Sequence, residues 1–157
     1  MTRRLTAAVA VAVLLLGVLT GCANPVTWVT GGNEYDEYCG DLSSHQVQFA
    51  DMFASSSVDA LLKNLPMLEK IAPKAPSDIA DDWQNFLTPI QGLQKALDKA
   101  GIKAADYHDG VPPEGTSAAN RKAIGQAAAL LATATATAAA SAIDQEARDV
   151  CKLNLGM

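Results

Sequence analysis

Metal coordination is the first chemistry that this chain of 157 residues suggests, because one of its two histidines follows two acids at helical spacing. Glu37, Asp41 and His45 are each four residues apart, which places their side chains along one face of a helix. Imidazole and carboxylate groups both bind divalent metals. The same residues border the apolar stripe of the predicted helix, and we favour this alternative, a solvated polar edge, over a metal site.

A second polar cluster, Asp106-Tyr107-His108-Asp109, lies in a stretch rich in glycine and proline. Such a stretch predicts a loop, and loops carry functional residues more often than helices do. A histidine among acids in such a loop is usually solvated. We therefore predict no bound metal at this cluster either.

The sequence lacks the patterns of nucleophilic catalysis and of nucleotide binding. Ser44 and His45 are adjacent, and adjacent side chains on a helix do not face each other. The glycine patterns of a nucleophile elbow, a phosphate-binding loop and a dinucleotide-binding turn are all missing. We therefore expect a non-catalytic protein that needs no cofactor.

The N-terminal segment has the layout of a secretory signal peptide. Residues 1–8 carry two arginines, residues 9–19 are apolar almost throughout, and two small residues then precede Cys22. The apolar stretch, residues 5–19, is shorter than the roughly 20 residues that cross a bilayer. Cleavage is therefore favoured over an uncut transmembrane anchor.

The end of this segment, Leu19-Thr20-Gly21-Cys22, resembles the lipobox of bacterial lipoproteins. In that family a diacylglycerol is attached to the cysteine thiol, and the chain is cut just before the cysteine. The resemblance implies a cleaved signal over residues 1–21, with Gly21 as the cleavage flank and Cys22 as the lipidated residue. It also implies an anchor on the extracytoplasmic face of the bacterial cell membrane, and it implies no activity.

Loss of the signal would make the chain strongly acidic. Arg3 and Arg4 leave with it, so ten of the 12 basic residues remain against 17 acids, a formal charge of −7. Without a basic patch, nucleic acid and anionic lipid headgroups are poor partners. A single acyl chain binds a membrane only marginally, so the anchor implies two or more chains.

The two other cysteines, Cys39 and Cys151, are predicted to form a disulfide. Lipidation of Cys22 resolves the odd count of three cysteines, and the outside of a bacterial membrane permits disulfides. The alternative is a pair of buried free thiols.

The remaining sequence predicts a lipidated tether over residues 22–33 and an all-α domain over residues 34–157. Apolar residues recur at helical spacing in four segments of the domain. We expect a kink or restart at Pro66, a bend caused by Pro89, and an N-cap at Ser77. The predicted helices cover about residues 34–53, 58–72, 78–100 and 116–153.

The predicted core consists of one apolar stripe per helix, except in the fourth. That segment is rich in alanine and threonine, and its large apolar residues fall on two faces about a third of a turn apart, which predicts a kink or burial on two sides. The first three stripes are Tyr35, Cys39, Leu42, Phe49 and Phe53; Leu61, Leu65, Leu68 and Ala72; and Ile79, Trp83, Phe86, Ile90, Leu93 and Leu97.

The predicted disulfide would join the start of the first helix to the end of the fourth. Because the Cα atoms of bridged cysteines lie within about 7 Å, the two helices would be antiparallel, as in an up-down four-helix bundle. The second helix is short, so an irregular bundle with kinked helices is the alternative. The layout, a helical domain rich in alanine and threonine with a cysteine at each end, is similar to small uncharacterised lipoproteins of high-GC Gram-positive bacteria.

Two functions remain open from the sequence. The first is a non-catalytic envelope lipoprotein whose acidic domain serves protein interaction or a structural role. The second is a carrier of a small molecule or lipid in a cavity between kinked helices. Gln46, a polar residue within the first apolar stripe, and Trp83 are the candidate ligand contacts, although an internal hydrogen bond for Gln46 and a core position for Trp83 are favoured.

Overall fold

The computed structural model describes residues 34–157, and this part of the chain is all-helical, with six α-helices and no named strand. The predicted signal peptide, Gly21, Cys22 and the tether lie outside it. The helices are α1 (Glu34–Ser44), α2 (Gln46–Ala54), α3 (Val58–Ile71), α4 (Ala80–Lys99), α5 (Ala118–Ala129) and α6 (Ala134–Asp149).

The first predicted helix is divided in two at His45. The hydroxyl of Ser44 donates to the carbonyl of Asp41 at 2.9 Å, and such bonds to the preceding turn bend helices. The His45 N–H is shared between the carbonyls of Asp41 and Leu42, both at 3.2 Å. The regular helix is therefore interrupted at His45, and α1 and α2 are separate helices.

Neither proline ends its helix, so the restart expected at Pro66 does not occur. Pro66 is exposed within α3, and Pro89 is buried within α4. Four buried residues of α3 flank Pro66 on both sides, and their packing holds the helix together around the missing N–H. These residues are Leu62, Leu65, Leu68 and Ile71.

The limits of α4 are predicted well at its end and less well at its start. The helix begins at Ala80, and its N-cap residue Ile79 makes no side-chain cap, so the cap predicted at Ser77 is wrong. Residues 77–79 instead form a turn in which the Ile79 N–H bonds to the carbonyl of Pro76 at 3.1 Å. At the other end, Gly101 adopts φ +72°, a conformation that suits glycine and closes the helix.

The fourth predicted helix is bent, as its two apolar faces indicate. α5 continues into a 3₁₀ turn, Leu130–Ala132, and α6 starts at an angle of 46° to it. Thr133 causes the break, because its backbone is extended and its hydroxyl caps α6 by accepting from the Ala136 N–H at 3.3 Å.

The core agrees with the third stripe in full and corrects the first two. All six predicted residues of α4 are buried. Of the first two stripes only four residues are buried, and the remaining five are only partly buried: Tyr35, Cys39, Phe53, Leu61 and Ala72. The buried residues that the stripes missed there are Tyr38, Met52, Leu62 and Ile71.

α4 lies at the centre of the domain and makes its most extensive contacts with α6, α5 and α3. The predicted disulfide is confirmed, with the Cα atoms of Cys39 and Cys151 separated by 5.2 Å. Residues 151–157, here called the C-terminal strap, then run beside α1 and α2.

Candidate functional site

The polar edge of α1 pairs with a lysine. Lys74 Nζ lies 2.7 Å from Glu37 Oε1 and 2.8 Å from Asp41 Oδ2. Hydrogen bonds to Asp41 and Glu37 raise the pKa of Lys74, which keeps it charged. His45, the N-cap residue of α2, contacts the side chain of Gln48 in that helix instead of joining the two acids. The structure therefore does not bring the three candidate metal ligands together around one point.

The polar loop cluster is organised around a buried tyrosine. Tyr107 is fully buried and its hydroxyl donates to the carbonyl of Gly110 at 3.0 Å, while Asp106, His108 and Asp109 are exposed. In the part of the chain that the structure describes, no group of three or more His, Cys, Asp or Glu side chains is placed to hold a metal.

Gln46 contacts the C-terminal strap. Its Nε2 donates to the carbonyl of Asn154 at 3.0 Å. Next to this contact, the N–H of the buried Leu155 donates to Asp144 Oδ1 at 3.0 Å, and Arg148 binds the other oxygen of Asp144. Asp144 is only 3% exposed, and sequence reasoning missed it because its partner Leu155 lies beyond the end of the helix.

Trp83 is 1% exposed and is held by an aromatic partner on α1. Its Nε1 donates to the hydroxyl of Tyr38 at 2.9 Å, and the two rings meet edge to face with centroids 6.3 Å apart. Burial raises the pKa of Tyr38 to about 12, and the carboxylates of Glu146 and Asp78 act in the same direction. At neutral pH the phenol of Tyr38 is therefore uncharged, and both rings are part of the buried core.

One side of Trp83 nevertheless contributes to a surface groove between α3 and α4, here called the Trp83 groove. Its volume is about 520 Å³. Glu69 and Asp81 are its charged residues, and no lysine or arginine lines it; Glu69 accepts a hydrogen bond from Gln91 across the groove at 2.8 Å. The other lining residues are Ala72, Pro73, Ala75, Ala80, Gln84, Leu87 and Thr88.

A second groove of about 450 Å³ lies where the start of α3 meets the 3₁₀ turn Ala104–Asp106. It is lined by Asp59, Lys63, Ala104, Ala105 and His108 and is here called the Asp59 groove. Asp59 Oδ1 is buried without a hydrogen-bond partner. The sequence signal for this groove is the i,i+4 spacing of Asp59 and Lys63, a pattern that is common on solvated helix faces.

A third polar feature lies near the disulfide. Burial raises the pKa of Glu146, and the charges of Asp78 and Asp149 raise it further. Glu146 Oε1 is also buried without a partner. This carboxyl group is therefore easier to protonate than an ordinary glutamate.

Comparisons with known proteins add no family. No protein-family model matches the chain, and no curated protein or solved structure is significantly similar to it.

Within residues 34–157, no single helix has the length and apolar composition to cross a membrane. The bent pair formed by Ala118–Ala132 and Ala134–Asp149 has the required length and composition only when its two helices are counted together. In this fold both α5 and α6 pack on α4.

Proposed function

We propose that this chain is a lipid-anchored lipoprotein of the bacterial cell envelope and that its helical domain is a non-catalytic binding module. The observation that carries the proposal is the Cys39–Cys151 disulfide. A disulfide is typical of exported proteins, and this pairing leaves Cys22, the residue of the lipobox resemblance, as the third cysteine of the sequence.

The position of the disulfide gives the proposed anchor an orientation. Cys39 lies one turn after the start of α1, so the end of the domain that holds the disulfide is the end that follows the tether. In this proposal the domain is an irregular four-helix bundle that is attached to the membrane at its disulfide end. The pair α1 and α2 acts as one helix of the bundle and the pair α5 and α6 as another, and α3 and α4 are the remaining two.

The first candidate for the bound molecule is a basic segment of another envelope protein, held in the Trp83 groove. Glu69 and Asp81 give the groove negative charge without a lysine or arginine among its lining residues, while Pro73 and three alanines supply apolar contact. Complementary charge of this kind selects partners and speeds their association.

The second candidate is a small molecule in the Asp59 groove. Asp59 and Lys63 favour it, because both residues line this groove and neither belongs to an ion pair within residues 34–157, so a ligand with complementary charge can pair with them.

The anchor is tested by growing cells with an alkyne-labelled fatty acid and measuring label on the protein. We expect label and membrane association for the native chain and for Cys39→Ala/Cys151→Ala, and loss of both for Cys22→Ala. The mass of the mature N-terminus should correspond to cleavage between Gly21 and Cys22. Equal labelling of the Cys22→Ala chain would exclude the proposal.

The protein partner is tested with a photo-crosslinking amino acid at Gln84, inside the Trp83 groove, and at the exposed Lys95 as the control site. A specific crosslink from Gln84 that disappears when Glu69→Gln and Asp81→Asn are combined supports the basic partner. A crosslink that survives these changes contradicts the role of charge in its binding.

A further inference from the structure

The Asp59 groove contains two opposite charges that do not neutralise each other. Asp59 and Lys63 lie four residues apart on α3, with the acid on the N-terminal side, which is the arrangement that pairs best on a helix. Within residues 34–157, however, the ion pairs involve Lys74 and Arg148, and neither Asp59 nor Lys63 has a charged partner.

The two charged groups also differ in their exposure. Asp59 is half-buried and its Oδ1 is enclosed, whereas Lys63 is exposed at the rim of the groove. The facing wall is built from Ala104 and Ala105, whose small side chains leave the space open, and from the imidazole of His108. The groove is therefore lined by a half-buried carboxylate, an exposed cation and a narrow apolar wall.

The charge balance limits the class of ligand. A simple amine would satisfy Asp59 but would bring a second positive charge towards Lys63. A simple carboxylic acid would pair with Lys63 but would leave the Asp59 carboxylate without a charged partner and add a second negative charge. A molecule with both an ammonium and a carboxylate group satisfies both residues, and charge-assisted hydrogen bonds of this kind are among the strongest.

We propose that the Asp59 groove binds a free α-amino acid, with the ammonium group donating to Asp59 and the carboxylate paired with Lys63 and facing His108. The side chain of the ligand lies along Ala104 and Ala105. A volume of about 450 Å³ is within the range of small-molecule sites. The inference deepens the second candidate function and rests on it.

The test uses the full-length protein purified in detergent, titrated calorimetrically with each of the standard L-amino acids in turn. For those that bind, the N-acetyl derivative removes the ammonium charge and the amide derivative removes the carboxylate. We expect binding of at least one amino acid at millimolar concentration or better, and loss of at least about tenfold in affinity for each derivative, because each loses one charge-assisted hydrogen bond.

Matched variants locate the binding. Asp59→Asn and Lys63→Gln should each weaken binding by about tenfold or more, and Ala105→Trp should abolish it by filling the groove without changing a charge. Asp82→Asn, in the first turn of α4, and Lys70→Gln, on the exposed side of α3, are the controls and should bind normally. Circular dichroism of each variant reports whether it is folded.

Three results would overturn the inference: no binding by any amino acid, equal binding of the acetylated or amidated forms, or normal binding by the folded Lys63→Gln and Ala105→Trp chains. None of them affects the fatty-acid labelling, so a failure here is distinguishable from a failure of the proposed anchor.

Discussion

The disulfide end of the domain and the Asp59 groove each hold an aspartate, and the two differ in whether their buried carboxylate oxygens have hydrogen-bond partners. Near the disulfide, Asp144 is almost fully buried, yet its oxygens receive the Leu155 N–H and the guanidinium of Arg148. In the Asp59 groove, one carboxylate oxygen is equally hidden from water and has no donor, although Lys63 lies one turn away. One aspartate holds the fold together, and the other lines a groove without a charged partner.

The difference shows which polar groups are structural. The C-terminal strap forms no helix, and it is fixed by the disulfide, by Gln46 and Asp144, and by a backbone hydrogen bond from the Leu153 N–H to the Ala147 carbonyl at 2.9 Å. The start of α3 needs no such support because four buried residues hold the helix on the core. Its polar residues are therefore free for another purpose, and four measurements examine this contrast.

The largest effect should come from the disulfide. Replacing Cys39 and Cys151 by alanine opens a loop with a sequence separation of 112 residues, and the free energy of unfolding should fall by about 4 kcal/mol because the unfolded chain gains entropy. Urea unfolding of the full chain measures this. Cys22→Ala is the control and should leave the midpoint unchanged; an equal loss there would assign the effect to cysteine removal in general.

The second effect should come from Asp144. Asp144→Ala leaves the Leu155 N–H buried without an acceptor and removes the partner of Arg148, which should lower the free energy of unfolding by about 3 kcal/mol. Asp98→Ala, an exposed residue with only a side-chain amide partner, is the control and should change it by less than about 0.5 kcal/mol. A similar fall in the free energy of unfolding in the two variants would contradict a structural role for the contact between Asp144 and the strap.

The third effect combines stability with pH. Tyr38→Phe leaves the buried Trp83 Nε1 without an acceptor and should cost about 2 kcal/mol at neutral pH. Adding Trp83→Phe should recover part of that loss, since the donor is then removed as well. No recovery in the double variant would show that ring packing, and not the hydrogen bond, is what matters.

The pH dependence has a definite sign. The pKa of Tyr38 is raised from 10.0 to about 12, so the native state favours the neutral hydroxyl, and its stabilisation is present below pH 10 and is lost as the pH rises through 12. Tyr38→Phe should flatten the alkaline fall in urea midpoints. Burial also raises the pKa of Tyr107, so Tyr107→Phe serves as a comparison that removes a different part of the fall.

The smallest effect should come from Asp59. Asp59→Asn removes the charge of a carboxylate that is partly desolvated, which is favourable, and also removes a negative charge that suits the start of α3, which is unfavourable, so these two terms oppose each other. The free energy of unfolding should therefore change by less than about 0.5 kcal/mol. A loss as large as that of Asp144→Ala would make Asp59 a structural residue and would end the contrast between the two regions.

Part of the fold was predictable because it depends on local periodicity. The stripe of α4 is correct at all six positions, since a long amphipathic helix with a glycine at its end leaves few alternatives. The break at His45 was not predictable in the same way, because it depends on how Ser44 bonds to the preceding turn and on the contact between Gln46 and the strap. The bend at Thr133 was indicated only by two apolar faces that could not share one straight helix.

By itself, the sequence determined the helical class, the central helix and the Cys39–Cys151 pair, because apolar spacing and the chemistry of three cysteines are local or countable properties. Only the tertiary structure decided which polar groups were paired. Asp144 accepts a hydrogen bond from an N–H beyond its own helix, and Lys74 forms ion pairs with two acids of α1. Asp59 Oδ1 has no hydrogen-bond donor. A side chain's partners depend on segments that are distant in the chain, and no spacing along one helix specifies them.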